Sequence, residues 1–203
     1  MIDLRLYLVT DEGLAAGRSL ADIVRRAVAG GVTCVQLRAK TASSRVLLQQ
    51  AMELIDVIRP LGVPLIVNDR LDIALAAGAA GVHVGQEDLP CDVVRRLVPP
   101  GFCIGVSVST LAEVRAAEAA GADYLGVSPV FDTPTKRDTP VATGLEGLRR
   151  IRAATRLPLV AIGGIHVDNA AAVRGAGADG LAVVSAIIAA DDPTEAARQL
   201  AGV

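Results

Sequence analysis

Aromatic side chains are scarce in this chain, which has no tryptophan, two phenylalanines and two tyrosines among its 203 residues. Proteins that bind single-stranded nucleic acids stack the bases on aromatic rings, and so few rings cannot form such platforms. The 20 lysines and arginines are outnumbered by 22 aspartates and glutamates, so there is no basic excess to attract a phosphate backbone. The composition argues against a nucleic-acid-binding protein.

Cysteines and long apolar runs are also few. Cys34, Cys91 and Cys103 are widely spaced and contain no CxxC pair, which indicates reduced thiols that fill the core rather than a disulfide framework. No apolar run reaches the roughly 18 residues that cross a bilayer. The N-terminal segment, Met1 to Arg5, is charged too early to be a secretory signal. We therefore expect a cytoplasmic protein that makes no membrane contact.

What the chain does contain is a regular alternation of strand-like and helix-like segments. Helical patterns at Leu20–Ala29, Arg45–Ile58, Leu111–Ala120 and Asn169–Gly175 lie between short apolar, β-favouring runs. Such alternation is typical of right-handed βαβ units with a parallel sheet. The expected strands are Leu6–Val9, Cys34–Arg38, Leu65–Val67, Val82–Val84, Cys103–Val106, Tyr124–Val127, Leu159–Ile162 and Leu181–Val184.

An internal repeat organises these strands. Gly31, Gly78, Gly121 and Gly177 each stand a few residues before an even-numbered strand, as expected of a glycine that ends a helix with a positive φ. Four copies of a strand–helix–strand–helix unit predict an α/β fold, a single (β/α)8 TIM-barrel domain over residues 1–203. The alternative is an open doubly wound sheet, but the first strand lacks the Gly-x-Gly-x-x-Gly turn of that fold.

The sixth strand leads into a loop rich in anion-binding groups. Thr133, Thr135 and Lys136 follow Tyr124–Val127 and supply two hydroxyls and an ammonium within four positions. The alternative is a surface loop with a solvated lysine. Active sites of TIM barrels lie where the strands end, so the residues that follow the other strands bear on this choice.

The second strand ends in alternating polar residues. Gln36, Arg38 and Lys40 share one face of Gln36-Leu-Arg-Ala-Lys40, and the apolar face must meet the outer helices. The polar face is therefore expected to point into the barrel mouth, where buried cations need anions. These anions are either substrate phosphates or carboxylates of the barrel itself.

Two carboxylates follow the third and fourth strands. Asp69 stands next to Asn68, and Asp88 closes the segment Gly85-Gln-Glu-Asp88. A pair of carboxylates on adjacent loops suits Mg²⁺, which completes its octahedron with water and phosphate oxygens. For either aspartate alone, the favoured interpretation is a cap of the next helix, whereas the pair, with Arg38 and Lys40 nearby, favours a metal and a diphosphate.

The remaining strand ends carry smaller signals. Ser107 follows strand five at the mouth, and Thr110 with Glu113 predicts a capping box. Gly163-Gly164 and Val184-Ser185 follow strands seven and eight, the usual phosphate site of this fold, although a tight turn would also explain a glycine there. His83 and His166 have no obvious partner in the sequence.

Taken together, these segments resemble the thiamine-phosphate synthase family, in order and over nearly the whole chain. The matching segments are Gln36-Leu-Arg-Ala-Lys40, Asn68-Asp69, Gly85-Gln-Glu-Asp88, Gly105-Val-Ser107, Thr133-Pro-Thr-Lys136, Gly163-Gly-Ile165 and Val184-Ser185. The family joins hydroxymethylpyrimidine diphosphate to hydroxyethylthiazole phosphate and releases pyrophosphate. The resemblance implies a transferase with one bound Mg²⁺ and no protein nucleophile.

The resemblance also implies a role for each matching residue. Asp69 and Asp88 would ligate Mg²⁺, and Lys136, Arg38 and Ser107 would act in catalysis. The pyrimidine diphosphate would bind Gln36, Leu37, Arg38, Ala39, Lys40, Asn68, Ser107 and Lys136. The thiazole phosphate would bind Thr133, Pro134, Thr135, Gly164, Val184 and Ser185.

The chain departs from the family pattern at Ser109, Ser128 and Asp132, and Asp132 places a carboxylate beside the anion-binding loop. Rival hypotheses are a thiazole tautomerase-like relative, a sugar-phosphate epimerase and a non-catalytic ligand-binding barrel. The epimerase typically holds a metal with several histidines, and this chain has two. An alanine-rich outer surface is compatible with a homodimer.

Lys136→Ala should reduce turnover by roughly 100-fold or more, as removal of a donor to the transition state does. Steady-state kinetics of thiamine phosphate formation measure the loss. A variant that turns over at nearly the wild-type rate would remove Lys136 from catalysis.

Overall fold

The computed structural model describes residues 2–132 and 142–203, and these form a closed parallel barrel. Eight strands pair in chain order from β1 to β8, and β8 pairs with β1 to close the ring. Every pairing is parallel, and a strand order without reversal is the topology of a TIM barrel. The predicted fold class is confirmed, and the open-sheet alternative is wrong.

The strands are short, and their bounds agree with the sequence to within two residues. The first, sixth and seventh are as predicted, while the fifth is longer by two residues at its carboxyl end. The strands are β1 Leu6–Val9, β2 Cys34–Leu37, β3 Leu65–Asn68, β4 Gly81–Val84, β5 Cys103–Val108, β6 Tyr124–Val127, β7 Leu159–Ile162 and β8 Gly180–Val183.

Helices connect the strands around the outside, with a 3-10 turn at Arg59–Leu61. The helices are α1 Glu12–Ala15, α2 Leu20–Ala29, α3 Ser44–Ile58, α4 Leu71–Ala77, α5 Cys91–Leu97, α6 Leu111–Ala119, α7 Gly144–Ala154, α8 Val167–Gly175, α9 Ser185–Ile188 and α10 Pro193–Ala201. No helix in the described parts of the chain has both the length and the apolar character that crossing a membrane requires.

Local signals set where these helices begin and end. Thr110 and Glu113 form the predicted capping box, in which each side chain accepts a hydrogen bond from the other residue's backbone N–H. The four repeat glycines all have a positive φ, between 68° at Gly78 and 115° at Gly31. Glycine adopts this conformation without steric cost, so the chain can leave each helix and enter the next strand directly.

Alternation along the strands divides the side chains into two layers. One set, including Leu8, Val35 and Val67, packs outward against the helices in the main hydrophobic core. The opposite set fills the barrel interior with a smaller cluster: Leu4, Tyr7, Val9, Cys34, Ile66, Tyr124, Val160 and Ala182. The lumen is therefore largely filled. Five of these residues, Tyr7, Val9, Tyr124, Val160 and Ala182, also line a cavity at the carboxyl ends of the strands.

Two glycines make room for the large rings in this interior. A Cβ at Gly105 would lie 2.1 Å from Cζ of Tyr124 and 2.5 Å from Nδ1 of His83. A Cβ at Gly126 would lie 2.9 Å from Cε1 of His83. These distances are far below van der Waals contact, so positions 105 on β5 and 126 on β6 must be glycines if the rings are to fit.

Gly105→Ala should destabilise the protein by about 1–3 kcal/mol, because the added methyl must displace a buried tyrosine and a buried histidine. Gly175→Ala is the matched control, since a Cβ there meets no atom within 4 Å. Urea unfolding of both variants measures the difference. Equal stabilities would show that the interior has space for the methyl group.

Candidate active site

A cavity of about 800 Å³ opens at the carboxyl ends of the strands. Ten of the predicted site residues line it: Gln36, Arg38, Lys40, Asn68, Asp69, Asp88, Ser107, Gly164, Val184 and Ser185. Leu37 and Ala39 do not line it, since Leu37 belongs to the outer core and Ala39 packs against that core. Thr133, Pro134, Thr135 and Lys136 lie outside the described residues.

Arg38 and Lys40 bring positive charge to one side of the mouth. The Arg38 guanidinium lies 3.9 Å from Asp11, and the Lys40 ammonium lies 3.8 Å from Asp69. Both separations exceed a hydrogen bond, and neither side chain donates one to any other described residue. The barrel carboxylates therefore balance part of this charge and leave the N–H donors available to a ligand.

A sharp turn after β3 directs Asp69. The backbone N–H of Arg70 donates to the carbonyl of Asn68 at 2.7 Å, so the turn closes across a single residue. Asp69 has a φ of 63°, which is uncommon for a residue other than glycine and is tolerated better by aspartate than by most residues. Backbone strain of this kind is concentrated at active sites and ligand-binding sites.

Neither Asp69 nor Asp88 caps the next helix, so the capping alternative is wrong. Helices α4 and α5 begin after Arg70 and Pro90, and neither helix receives a side-chain cap. Asp88 instead accepts a hydrogen bond from the backbone N–H of Gly85 at 2.7 Å, which closes the turn after β4. The two carboxylates are thus held at the rim for a reason other than helix capping.

The proximity of the two carboxyls perturbs Asp69. Burial, followed by the hydrogen bond and charge of Asp88, raises the pKa of Asp69 from 3.8 to about 6, while Lys40 and Arg38 act in the opposite direction. Two acidic groups that share one site hold a proton between them unless a cation takes its place.

The donor set fits a hard divalent cation that takes few protein ligands. Over residues 2–132 and 142–203, no group of three or more histidine, cysteine or acidic side chains converges on one point. A dedicated protein cage for zinc or calcium is therefore not present in this part of the chain. Two carboxylates are instead the donor set that suits Mg²⁺ when substrate phosphates and water complete its coordination.

The opposite side of the mouth is built from the ends of β7 and β8. Gly163 and Gly164 have φ values of 106° and 65°, and a Cβ on either would lie within 3 Å of Pro129 or Phe131. Backbone conformation and close packing therefore require both glycines, so the pair is not by itself a sign of a phosphate. The short helix α9 begins at Ser185, just after the end of β8.

The sequence did not reveal the buried hydrogen bonds beneath the mouth. His83 contacts the Tyr124 hydroxyl through Nδ1 and the Ser107 hydroxyl through Nε2, both at 2.9 Å, so the expectation that it has no partner is wrong. Tyr124 contacts Tyr7 at 2.9 Å, and Tyr7 accepts from Gln36 at 3.0 Å. Burial raises the pKa of both tyrosines well above 10, so both hydroxyls keep their protons.

Thr10 was also missed, and His166 has a partner that the sequence did not reveal. Thr10 is fully buried, and its hydroxyl accepts a hydrogen bond from the Arg38 backbone N–H at 3.0 Å. His166 lies 3.3 Å from the Asp168 carboxylate on the surface. The sequence signal that could have revealed the buried hydrogen bonds is the alternation of inward- and outward-facing residues along each strand. Tyr7, His83 and Tyr124 all occupy inward positions.

Comparison with known proteins agrees with this geometry. A family model described as thiamine monophosphate synthase matches residues 6–187. The chain belongs to the thiamine monophosphate synthase family. It is accordingly an enzyme, a transferase that acts in the condensation step of thiamine biosynthesis, as the sequence predicted.

Relatives in this family are similar over almost their full length. Thiamine-phosphate synthase of Albidiferax ferrireducens is 60% identical over 197 residues, which cover 97% of this chain and 90% of the relative. The Chloroflexus aurantiacus enzyme is 55% identical over 200 residues, 98% of this chain and 92% of the relative. The solved thiamine phosphate pyrophosphorylase from Pyrococcus furiosus superposes with a TM-score of 0.89 at 41% identity, covering 98% and 94% of the two chains.

The Asp69 carboxyl should titrate with a midpoint near 6 in the metal-free enzyme. Its pKa is higher in the folded than in the unfolded state, so the folded state binds more protons between pH 3.8 and about 6. The contribution of Asp69 to the free energy of unfolding should therefore fall as pH rises through this window. Carboxyl ¹³C NMR and urea unfolding across the window measure both effects.

Asp69→Asn should abolish this part of the pH dependence. Asp72→Asn is the control, because a hydrogen bond from Arg70 lowers the pKa of that exposed aspartate. Its removal should leave the slope between pH 3.8 and 6 unchanged. A wild-type Asp69 midpoint near 4 would show that burial and Asp88 together do not raise this pKa.

Proposed function

We propose that the enzyme condenses 4-amino-2-methyl-5-hydroxymethylpyrimidine diphosphate with 4-methyl-5-(2-hydroxyethyl)thiazole phosphate to give thiamine phosphate and pyrophosphate. One observation carries this proposal. A single cavity is lined on one side by Arg38 and Lys40 and on the other by Gly164 and Ser185. Two separate anion-binding regions suit two phosphorylated substrates that must meet.

The pyrimidine diphosphate is assigned to the side formed by β2 to β5. Arg38 and Lys40 have N–H donors that their long contacts to Asp11 and Asp69 leave available, and they would bind the diphosphate oxygens. Gln36, Asn68 and Ser107 supply amide and hydroxyl groups that would hold the pyrimidine. Leu37 and Ala39 would contribute through their backbone, since their side chains face away from the cavity.

Mg²⁺ is assigned to Asp69 and Asp88. When bound, it would neutralise negative charge on the diphosphate as this group leaves. The two carboxylates would hold the ion at the rim next to Lys40, with Asp88 fixed by its hydrogen bond from Gly85.

The thiazole phosphate is assigned to the side formed by β7 and β8. Gly164, Val184 and Ser185 line this side, and the first N–H groups of the short helix α9 lack partners within the helix. Thr133, Pro134 and Thr135 of the preceding loop are assigned to the same phosphate from the sequence alone.

The reaction is proposed to be dissociative. The electron-rich aminopyrimidine supports a methylene cation, so the C–O bond breaks first and its electron pair leaves with pyrophosphate. The thiazole nitrogen then donates its lone pair to form the new C–N bond. Arg38, Lys40 and Lys136 would stabilise the departing charge, and the enzyme would contribute mainly by positioning and by preorganised electrostatics.

No protein nucleophile takes part in this scheme. Burial raises the pKa of the Cys34 thiol well above its ordinary value and that of Cys103 to about 12. Burial also raises the pKa of Cys91. All three thiols therefore stay protonated at neutral pH and are poor nucleophiles.

Purified enzyme mixed with both substrates and Mg²⁺ should form thiamine phosphate, measured as fluorescent thiochrome, and a chelator should abolish the product. Asp69→Asn and Asp88→Asn should each raise the Mg²⁺ concentration for half-maximal rate by about tenfold or more, since even outer-sphere partners are worth 10- to 100-fold. The exposed Asp72→Asn variant is the control and should titrate like wild type.

Product that forms equally well with chelator would overturn the role of Mg²⁺. If both substrates bind without forming product, a tautomerase-like enzyme or a non-catalytic ligand-binding barrel replaces the synthase hypothesis, and Asp132 is the first residue to change. A cytoplasmic location and a homodimer stay predictions.

A further inference from the structure

The five residues Gln36, Tyr7, Tyr124, His83 and Ser107 form an unbroken chain of hydrogen bonds beneath the cavity. It runs from β2 through β1, β6 and β4 to β5, with every link between 2.9 and 3.0 Å. Tyr7 and Tyr124 are each 1% exposed and are the only tyrosines in the protein. All five residues line the cavity, so this buried chain of hydrogen bonds forms part of its floor.

We propose that this chain has a fixed direction, which holds His83 as the Nε2–H tautomer and leaves the Ser107 proton free for the pyrimidine diphosphate. Tyr7, Tyr124 and His83 then act as positioning residues for the condensation. This role of Ser107 rests on the proposed function, whereas the direction of the chain does not.

The direction follows from counting donors and acceptors. The Gln36 amide nitrogen is only a donor and gives its hydrogen to the Tyr7 hydroxyl oxygen. The Tyr7 hydroxyl has one proton and two possible acceptors, the Tyr124 oxygen and the Cys34 sulfur. A thiol sulfur is a weak acceptor, so the proton goes to Tyr124. The Tyr124 proton then has Nδ1 of His83 as its acceptor, and this donation avoids a buried O–H without a partner.

The same count of donors and acceptors applies to His83 and Ser107. Since Nδ1 of His83 accepts, the proton of the neutral ring lies on Nε2 and is donated to Oγ of Ser107. The Ser107 hydroxyl makes no other hydrogen bond among the described residues, so its own proton remains available. If the direction were reversed, the Ser107 hydroxyl would instead donate its hydrogen bond to His83.

The surrounding packing holds the side chains of this hydrogen-bond chain in one geometry. Gly105 and Gly126 leave the space that the Tyr124 and His83 rings occupy. The two rings lie 5.5 Å apart between centroids, and the Tyr7 and Tyr124 rings lie 6.1 Å apart. With the rings fixed, a change of direction requires protons to move at every link at once, and buried donors left unpaired are costly.

The direction has a chemical consequence for the ligand. A Ser107 hydroxyl that donates will select an acceptor, either a ring nitrogen of the aminopyrimidine or an oxygen of its diphosphate. The thiazole phosphate is assigned to the opposite side of the cavity. A break in the chain of hydrogen bonds should therefore weaken binding of the pyrimidine diphosphate and leave binding of the thiazole phosphate unaffected.

The test begins with wild-type enzyme labelled with ¹⁵N-histidine and no substrate. Long-range ¹H–¹⁵N spectra should show His83 protonated on Nε2, with His166→Gln used to assign the only other histidine. Tyr7→Phe and Tyr124→Phe each remove one link while keeping the ring, and both should yield mixed tautomers. Both should also raise KM for the pyrimidine diphosphate about tenfold, typical of a lost hydrogen bond, with KM for the thiazole phosphate unchanged.

Thr155→Val is the matched control, because it deletes a buried hydroxyl outside the chain that hydrogen-bonds to Glu118 and Leu157. It should change neither the His83 spectrum nor either KM. An Nδ1-protonated His83 in wild type would overturn the inference, as would an unchanged spectrum in both phenylalanine variants. Since the tautomer is read without substrate, absent condensation by wild type would overturn the proposed function alone.

Discussion

Closure of the parallel barrel is the constraint on which everything else in this protein depends. All eight strands are parallel and β8 pairs with β1, so all eight carboxyl ends meet at one rim. Side chains far apart in sequence, such as Arg38 and Ser185, therefore line one cavity. The same closure turns alternate side chains inward, so the barrel needs a packed interior to support the rim.

The rim places cationic and acidic side chains next to one another. Arg38 and Lys40 approach Asp11 and Asp69 without hydrogen-bonding to them, so the cations are partly balanced yet still able to bind a ligand. Asp69 occupies an uncommon backbone conformation and has a raised pKa beside Asp88. Backbone outliers and perturbed pKa values of this kind cluster at functional sites.

Beneath the rim, the buried tyrosines provide both apolar packing and hydrogen bonds. The tyrosines fill the interior as large apolar groups, and their hydroxyls still satisfy Gln36 and His83. A fully paired buried network is rigid, because each broken link leaves a desolvated donor or acceptor. The glycines of β5 and β6 permit this arrangement by making space rather than by bending the chain.

The sequence by itself determined the barrel, its strand bounds, the inward face of Gln36, Arg38 and Lys40, and the capping box of Thr110. These features follow from local periodicity and capping, which short stretches of chain encode completely. Tertiary structure alone decided that Asp69 and Asp88 do not cap helices, that both Gly163 and Gly164 need a positive φ, and that His83 joins Tyr124 to Ser107. Those outcomes depend on contacts between strands distant in sequence, whose register only the closed barrel fixes.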